Sequence, residues 1–331
     1  MASTTMTQVP PAVRTFYDRT LLVRALPELV HNLFGQHRPI PMNSGDQIKF
    51  RRYNALDVAT APLTEGVTPD AVQLSKTDIT ASLAQYGNLV KITDMVEWTN
   101  QDKVLTETAT LLGENAGQSL DQVMRSVLIA GTNVRYSSGD TDTTDVQHKL
   151  TDADLDIVTR ALHRNNAKKF TRMIKPVNKY ASVPMRAAYW AIIHPDTLRD
   201  LDDSVTDFTP VHEYASHMDT YPQEVGGYRH IRMVMSTYAK VWADSGFAIG
   251  VDGFISTSGA NNDVYGTLVF AKDAYGTCPL SGHALENIRK PRGLGTDSLD
   301  QYSTSGWKAT TVAAKILDDN FMYRIEHACT D

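Results

Sequence analysis

At 331 residues, 42% of them hydrophobic and 21% charged, the chain has ordinary globular usage and enough apolar mass for one large core or two modest ones, which excludes disorder over most of its length. A net charge of -6 with no run of lysine or arginine argues against a dedicated nucleic-acid binder. The two cysteines, Cys278 and Cys329, lie far apart with no Cys or His at ligand spacing, so neither a disulfide framework nor a zinc site is indicated and a reduced, intracellular place of folding is expected.

In chain order, residues 1–46 read as an arm. The start lacks a basic and then apolar leader, a helical stretch from Val13 to Phe34 is interrupted by Pro27, and HRPIPMNSGD follows as turn. No later window approaches the apolar run a spanning helix needs, so the chain is expected to be soluble. QIKFRRYN, Gln47 to Asn54, alternates as a strand with Ile48 and Phe50 on one face and Lys49 and Arg51 on the other. Ala55 to Thr77 carries Pro62, Gly66 and Pro69 and reads as a long loop. The return strand changes phase: Ile79, Ala81 and Leu83 are its first apolar set, Tyr86, Val90 and Ile92 its second, which predicts a bulge or bend near Gly87.

A helix is predicted from about 100 to 130, with Asn100 as N-cap and Gly131 as stop. Leu105, Ala109, Leu112, Ala116, Leu120, Val123, Val127 and Ala130 form one apolar stripe, and Gly113 and Gly117 predict a bend. After a polar loop, Thr132 to His148, Thr151 caps a second helix with Asp154 at the capping-box position. The middle mixes short strands and helices without βαβ alternation, an α+β pattern. GWKATTVAAKILDDNFMYRIEH reads as a C-terminal hairpin turning at Asp318-Asp319-Asn320, and no internal repeat is present.

Motifs with chemical meaning are few. His194-Pro195-Asp196 matches a J-domain tripeptide, but strand-like YWAII precedes it, so a strand end followed by a helix start is the simpler reading. His212-Glu213-x-x-x-His217 misses H-E-x-x-H by one residue, which rotates the second imidazole away from the first on a helix. Asp140, Asp142 and Asp145 lack the glycine and the bidentate glutamate of a calcium hand and read as a solvated loop. Gly293-x-Gly295 has no third glycine, and neither a P-loop nor G-x-S-x-G occurs. A catalytic triad is spatial, so the missing motifs leave an enzyme open at this point; it is the resemblance carried by the blocks that follow that implies no enzymatic activity and no cofactor.

The order of parts, together with FYDRTLLVRALPELVHNLFGQ (16–36), APLTEGVTPD (61–70), QYGNLVKITDMVEWTNQD (85–102), AGTNVRY (130–136), IIHPD (192–196), QEVGGYRHI (223–231), DAYGT (273–277) and SGWK (305–308), resembles the tailed-bacteriophage major capsid protein of the HK97-like fold. It is most similar to the N4-like major capsid family. The resemblance spans nearly the whole chain and lies in the order of many short blocks. It implies an α+β fold with an N-terminal arm (1–46), an extended β-hairpin loop lying over an adjacent subunit (47–97), a spine helix with part of a peripheral domain (98–150), an axial domain (151–275) and a return to the peripheral domain with a C-terminal hairpin (276–331).

The implied function is a structural one. Copies would assemble into hexamers and pentamers of an icosahedral head in the host bacterial cytoplasm, enclosing double-stranded DNA contacted non-specifically, with a portal and possible decoration or scaffolding proteins as partners and no membrane. A hairpin too thin to bury its own surface is tolerable where another chain covers it, and a closed shell repeats that contact many times. The subunit interface is therefore expected to include Arg51, Arg52, Leu63, Glu65, Val67, Val72 and Leu74. Two other readings are an encapsulin-like compartment enclosing cargo protein, and a metal-assisted hydrolase built on His212 and His217.

Overall fold

A computed structural model describes residues 29–331 apart from 55, 61, 63–64, 67, 69–70, 100–103, 176–180, 215–219, 222, 250–252, 258 and 294–298. The first elements are β1 (Gln36–His37), β2 (Gln47–Tyr53), β3 (Lys76–Ser82), β4 (Ala84–Thr93) and two helices, α1 (Asp94–Thr99) and α2 (Val104–Ile129). Then come β5 (Val134–Tyr136), α3 (Asp152–Arg164), β6 (Phe170–Lys175), β7 (Ala181–Ile193), α4 (Thr197–Ser204), β8 (Phe208–Pro210), β9 (Glu224–Tyr228), β10 (Ile231–Met235) and β11 (Lys240–Trp242). The chain closes with β12 (Val264–Phe270), β13 (Tyr275–Pro279), β14 (Glu286–Lys290), β15 (Tyr302–Ile316) and β16 (Met322–His327). Residues 13–28 of the predicted arm helix, with Pro27, the N-cap Asn100 and Gly295, fall outside the described residues, and its last part is corrected: residues 29–34 are irregular chain and turn, not helix.

Nine strands form the body sheet, in the order β5-β16-β12-β7-β10-β9-β8, with β11 beside β12 and β6 beside β7. Its strands read as apolar runs because both faces are covered. Trp190, Ile192, Val234, Leu268 and Phe270 point to one side, where Phe34 and the α2 residues Met124 and Leu128 meet them. Tyr189, Ala191, Ile193, Met233 and Val269 point to the other, against Leu155, Val158 and Leu162 of α3 and Leu201 of α4. Helix α3 starts at Thr151 as expected, but the threonine hydroxyl donates to Asp154 Oδ2 at 2.6 Å instead of capping a backbone N–H. Asp154 is fully buried and is held in place by Arg135 and by the Ser138 N–H.

The second sheet is centred on β15. It pairs with β4 from Tyr302 to Thr311, with β14 from Thr304 to Lys308 and with β13 near its C-terminal end. Helix α2 lies on one face of it through Leu112, Ala116 and Leu120, which meet Trp307, Ala309 and Tyr86. The apolar stripe of α2 runs as predicted through Ala109, Leu112, Ala116 and Leu120, then continues at strict four-residue steps through Met124 and Leu128, leaving Ala130 exposed. The weak point at Gly113 and Gly117 does not break the helix, which runs unbroken over 26 residues. Both glycines are buried, and between them Asn115 accepts from Trp307 Nε1 at 3.0 Å and Asn88 Nδ2 at 3.2 Å, tying this stretch of helix to the sheet.

Two strand expectations are corrected. The phase change in the return strand is a change of partner, not a bulge: β3 pairs with β2, the chain breaks at Leu83, and β4 pairs with β15. The C-terminal hairpin does not form, because β15 and β16 belong to different sheets. Next to the turn, β15 is paired with β13, while β16 is paired on its two edges with β12 and β5. The Asp318-Asp319-Asn320 turn is instead a crossover, in which the Asp319 carboxylate accepts from Thr132 N just past α2 and Asp318 accepts from Asn320 N. Consequently β5 and β16, from either side of residues 151–275, sit in the same sheet as the strands of that segment.

Candidate functional site

The motifs with chemical meaning are dispersed by the fold. His194-Pro195-Asp196 joins the end of β7 to the start of α4, the structural reading of that tripeptide. His212 and Glu213 stand in a short 3-10 helix with their side chains largely in solvent, and His217 lies outside the described residues. The three loop aspartates face different partners: Asp140 the His148 ring at 2.9 Å, Asp142 the Thr144 and Asp145 N–H groups, Asp145 the Thr141 hydroxyl at 2.5 Å. Among the described residues no group of three or more His, Cys, Asp and Glu is placed to hold a metal ion.

Cys329 and His327 do meet, Sγ to Nδ1 at 3.7 Å, but in the core. Burial pushes the thiol far up, which removes thiolate character, and lowers His327 to about 4, which keeps the imidazole neutral. The Thr267 hydroxyl lies 3.0 Å from its Nε2. This pair is packing, with no route for a substrate.

The hairpin β2–β3 is a different kind of structure. It is a two-stranded sheet of its own, in register from Gln47 opposite Ser82 to Tyr53 opposite Lys76. Alternation places Ile48, Phe50, Ile79 and Ala81 on the face that packs on Ile40, Cys278 and Val312. Arg51 points the other way, to Asp78 directly across, with Nε–Oδ1 at 2.8 Å and Nη2–Oδ2 at 3.1 Å, and this guanidinium holds the Asp78 carboxyl below its usual range. Arg52, one residue on, shares the face of Phe50 and pairs with Asp318 at the crossover. Adjacent arginines thus have separate intrachain partners because of the two-residue period.

Beyond Tyr53 the chain leaves the sheet. Asn54 N donates to Ser75 O at 3.0 Å, and from there residues 54–75 carry no secondary structure among those described, with a turn at Glu65-Gly66 in which Gly66 takes a φ of +78°. Of the expected interface residues, Val72 and Leu74 are each 66% exposed and Glu65 is exposed, whereas Leu63 and Val67 lie outside the described residues. Leu56 and Val58 belong with them at 53% and 84%. Four large apolar side chains in solvent on one segment are uncommon in a self-contained domain.

One polar contact escaped the sequence reading. Asp121 of α2 is fully buried and accepts from His31 N and His31 Nδ1, both at 2.7 Å, while Tyr275 donates to the His31 carbonyl. It fastens the segment before β1 to the long helix. A lone acid beside an apolar stripe was its only trace in the sequence.

With this geometry in place, comparison with known proteins is informative. A model of the phage capsid protein family matches residues 76–325. No curated protein matches the sequence. Among solved structures, the capsid of cyanophage P-SCSP1u is 16% identical with a TM-score of 0.60 over 91% of this chain and 89% of that one. The capsid of Ralstonia phage GP4 is 12% identical with a TM-score of 0.64 over 91% and 88%, and the head of Helicobacter pylori bacteriophage KHP40 is 12% identical with a TM-score of 0.62 over 88% and 87%. At such identities the likeness is one of fold, and that fold is the HK97-like one.

Proposed function

Because the chain belongs to the phage capsid protein family, a structural and non-enzymatic one, we propose that it is the repeated subunit of a closed shell and that its hairpin, with residues 54–75, is completed by neighbouring copies. The observation that carries this is the set of exposed apolar side chains at Leu56, Val58, Val72 and Leu74 on a segment whose described residues are all exposed. An interface covering them returns roughly 25 cal/mol per Å² of apolar surface, and symmetry gives every subunit the same contact.

In finer detail, the subunits would form hexamers and pentamers around DNA, with a portal at one vertex, and the order of short sequence blocks favours the N4-like branch. Residues 47–97 would act as the extended loop, 98–150 and 276–331 would supply the peripheral domain, and 151–275 the bulk of the axial one. Arg51 and Arg52 would join the interface by exchanging Asp78 and Asp318 for carboxylates of a neighbour.

The test replaces residues 54–75 by an Asn-Gly turn, which closes β2 onto β3 without the loop. The full chain is expected to give particles by sedimentation and negative-stain electron microscopy, and the closed variant a folded protein without shells. Normal shells from the closed variant would refute the reading.

A further inference from the structure

We infer that the end of the body sheet where α3 runs into the β6–β7 pair is the surface this chain presents to the phosphate backbone of double-stranded DNA, an inference that rests on the reading of a shell around DNA just given. The net charge of -6 is unevenly spread along the chain. Residues 157–195 contain eight lysines and arginines and no aspartate or glutamate, in a chain with 32 basic and 38 acidic residues. The basic residues are spaced out, so they make no run that the sequence displays as one.

The fold gathers them at one place. Helix α3 ends at Arg164, the loop after it carries Lys168 and Lys169, and β6 then pairs with β7 from Phe170 opposite Ala188 to Lys175 opposite Ala181. Arg172 lies opposite Pro184, and Arg186 falls at the register shift between the Phe170 and Arg172 pairs. Lys169 Nζ stands 5.5 Å from the centre of the Tyr189 ring. The His163 ring lies 5.7 Å from that same ring and 5.7 Å from the ring of His230, at the β9–β10 turn. Burial first, then the positive charges of Lys169, His163, Arg186 and Arg229, hold His230 below its ordinary pKa, so these groups act on one another across a shared patch. Among the described residues the salt bridges of this region engage Arg229, with Asp156 and Asp207, and Arg232, with Glu224; Arg164, Lys168, Lys169, Arg172 and Arg186 enter none. Like charges gathered in this way repel, and an anion placed among them is attracted by each.

The surroundings of the patch indicate what kind of anion. Among the described residues every exposed large apolar side chain lies outside residues 157–195. The exposed residues interspersed with the cations include Asn166, Thr171 and Ala187, which are polar or small. A protein partner needs an apolar or aromatic anchor at the centre of its contact, which residues 54–75 offer and this patch does not. A nucleic-acid backbone needs positive charge and hydrogen-bond donors, which the patch supplies from a helix end, a loop and a pair of strands. Such a contact holds DNA without reading its sequence.

The test follows a labelled DNA duplex of mixed sequence binding to the unassembled full chain, by fluorescence anisotropy across a salt series. Affinity is expected to fall as salt rises. Arg164→Glu, Lys168→Glu and Lys169→Glu together are expected to lower it about tenfold or more at low salt and to reduce the slope of log K against log salt by about three. Reversal of Lys49, Lys76 and Lys290, the same change of net charge at exposed sites elsewhere, is expected to leave both close to wild type. Equal losses in the two variants would reduce the effect to net charge and overturn the inference, as would no loss in either. A patch variant that keeps its DNA affinity but loses shells would make the patch a contact between copies, and also overturns it. Should the patch variant not fold, by circular dichroism, wild-type particles give the answer: Lys168 and Lys169 are expected to be acetylated less in DNA-filled than in empty particles while Lys49 is unchanged, and equal acetylation overturns the inference. Normal shells alongside any of these failures leave the shell reading standing, whereas a full chain that never forms shells removes that reading and this inference together.

Discussion

Strand β12 and strand β2 are each seven residues long, yet they stand at opposite ends of what a strand requires. Every residue of β12 is buried, between β7 and β16 in the sheet and between helices above and below. In β2 only Phe50 is, because its hairpin has one partner strand and one covered face. An isolated pair of strands is marginal in water, so the difference separates the part of the molecule that folds for itself from the part that depends on what it touches. The body buries its apolar side chains within the chain, whereas the loop beyond the hairpin leaves Leu56, Val58, Val72 and Leu74 in solvent.

The largest effect that would break this comparison is a pair of truncations. Phe270→Ala removes a ring packed 5.2 Å from Tyr275 and 6.4 Å from Phe34 and is expected to cost about 3–5 kcal/mol of monomer stability by denaturant or thermal unfolding. Leu74→Ala, at an exposed site, is expected to stay within about 0.5 kcal/mol in the same measurement while lowering shell yield. Equal losses in the two variants would mean that the loop is packed in the monomer and the distinction is false.

The sequence revealed these two regions to different extents, for physical reasons. Helix α2 was legible because its apolar spacing is local, and the loop because Pro62, Gly66 and Pro69 leave it nothing to pair with. The crossover between β15 and β16 was not legible. Asp318-Asp319-Asn320 suits a hairpin turn as well as a crossover, and the pairing of β16 with β12 and β5, both distant in sequence, decides between them. Arg51 and Arg52 read as one basic pair and are two separate contacts, on opposite faces of one strand. Local periodicity shows where a strand runs; its partners, and hence any surface assembled from several strands, are set by long-range pairing.

A smaller effect sharpens the comparison through pH. Buried His327 titrates at about 4 in the folded body against 6.5 when unfolded, chiefly because burial penalises its charge. The unfolded chain therefore takes up the proton first, so this contribution is intact above pH 6.5 and is lost as pH falls toward 4, with a slope approaching about 1.4 kcal/mol per pH unit. His37 and His194 are lowered by burial too and add to the acid loss. His327→Gln is expected to flatten the stability profile between pH 6.5 and 4 without removing the whole slope. Strands β2 and β3 contain no histidine, and their Asp78 carboxyl is held below its usual range, so between pH 6.5 and 4 hydrogen exchange there is expected to follow pH mainly through its intrinsic chemistry. A profile unchanged by the substitution would place the proton uptake elsewhere in the body.

The smallest effects belong to the two arginines of the hairpin. Arg51 and Asp78 are solvated, an ion pair of the kind that rarely moves a melting temperature, so Arg51→Ala is expected to leave the monomer midpoint where it is. Arg52 differs in its partner. The Asp318 side chain is only 12% exposed and sits at the crossover that also anchors the end of α2, so this pair connects the hairpin to the body. Arg52→Ala is accordingly expected to leave the global midpoint unchanged but to raise amide exchange in β2 and β3 relative to Arg51→Ala, because it frees the hairpin locally without opening the sheets. Equal exchange in the two variants would show that the hairpin is held by its apolar face, Ile48, Phe50, Ile79 and Ala81, and that its attachment depends on apolar cover and not on charge.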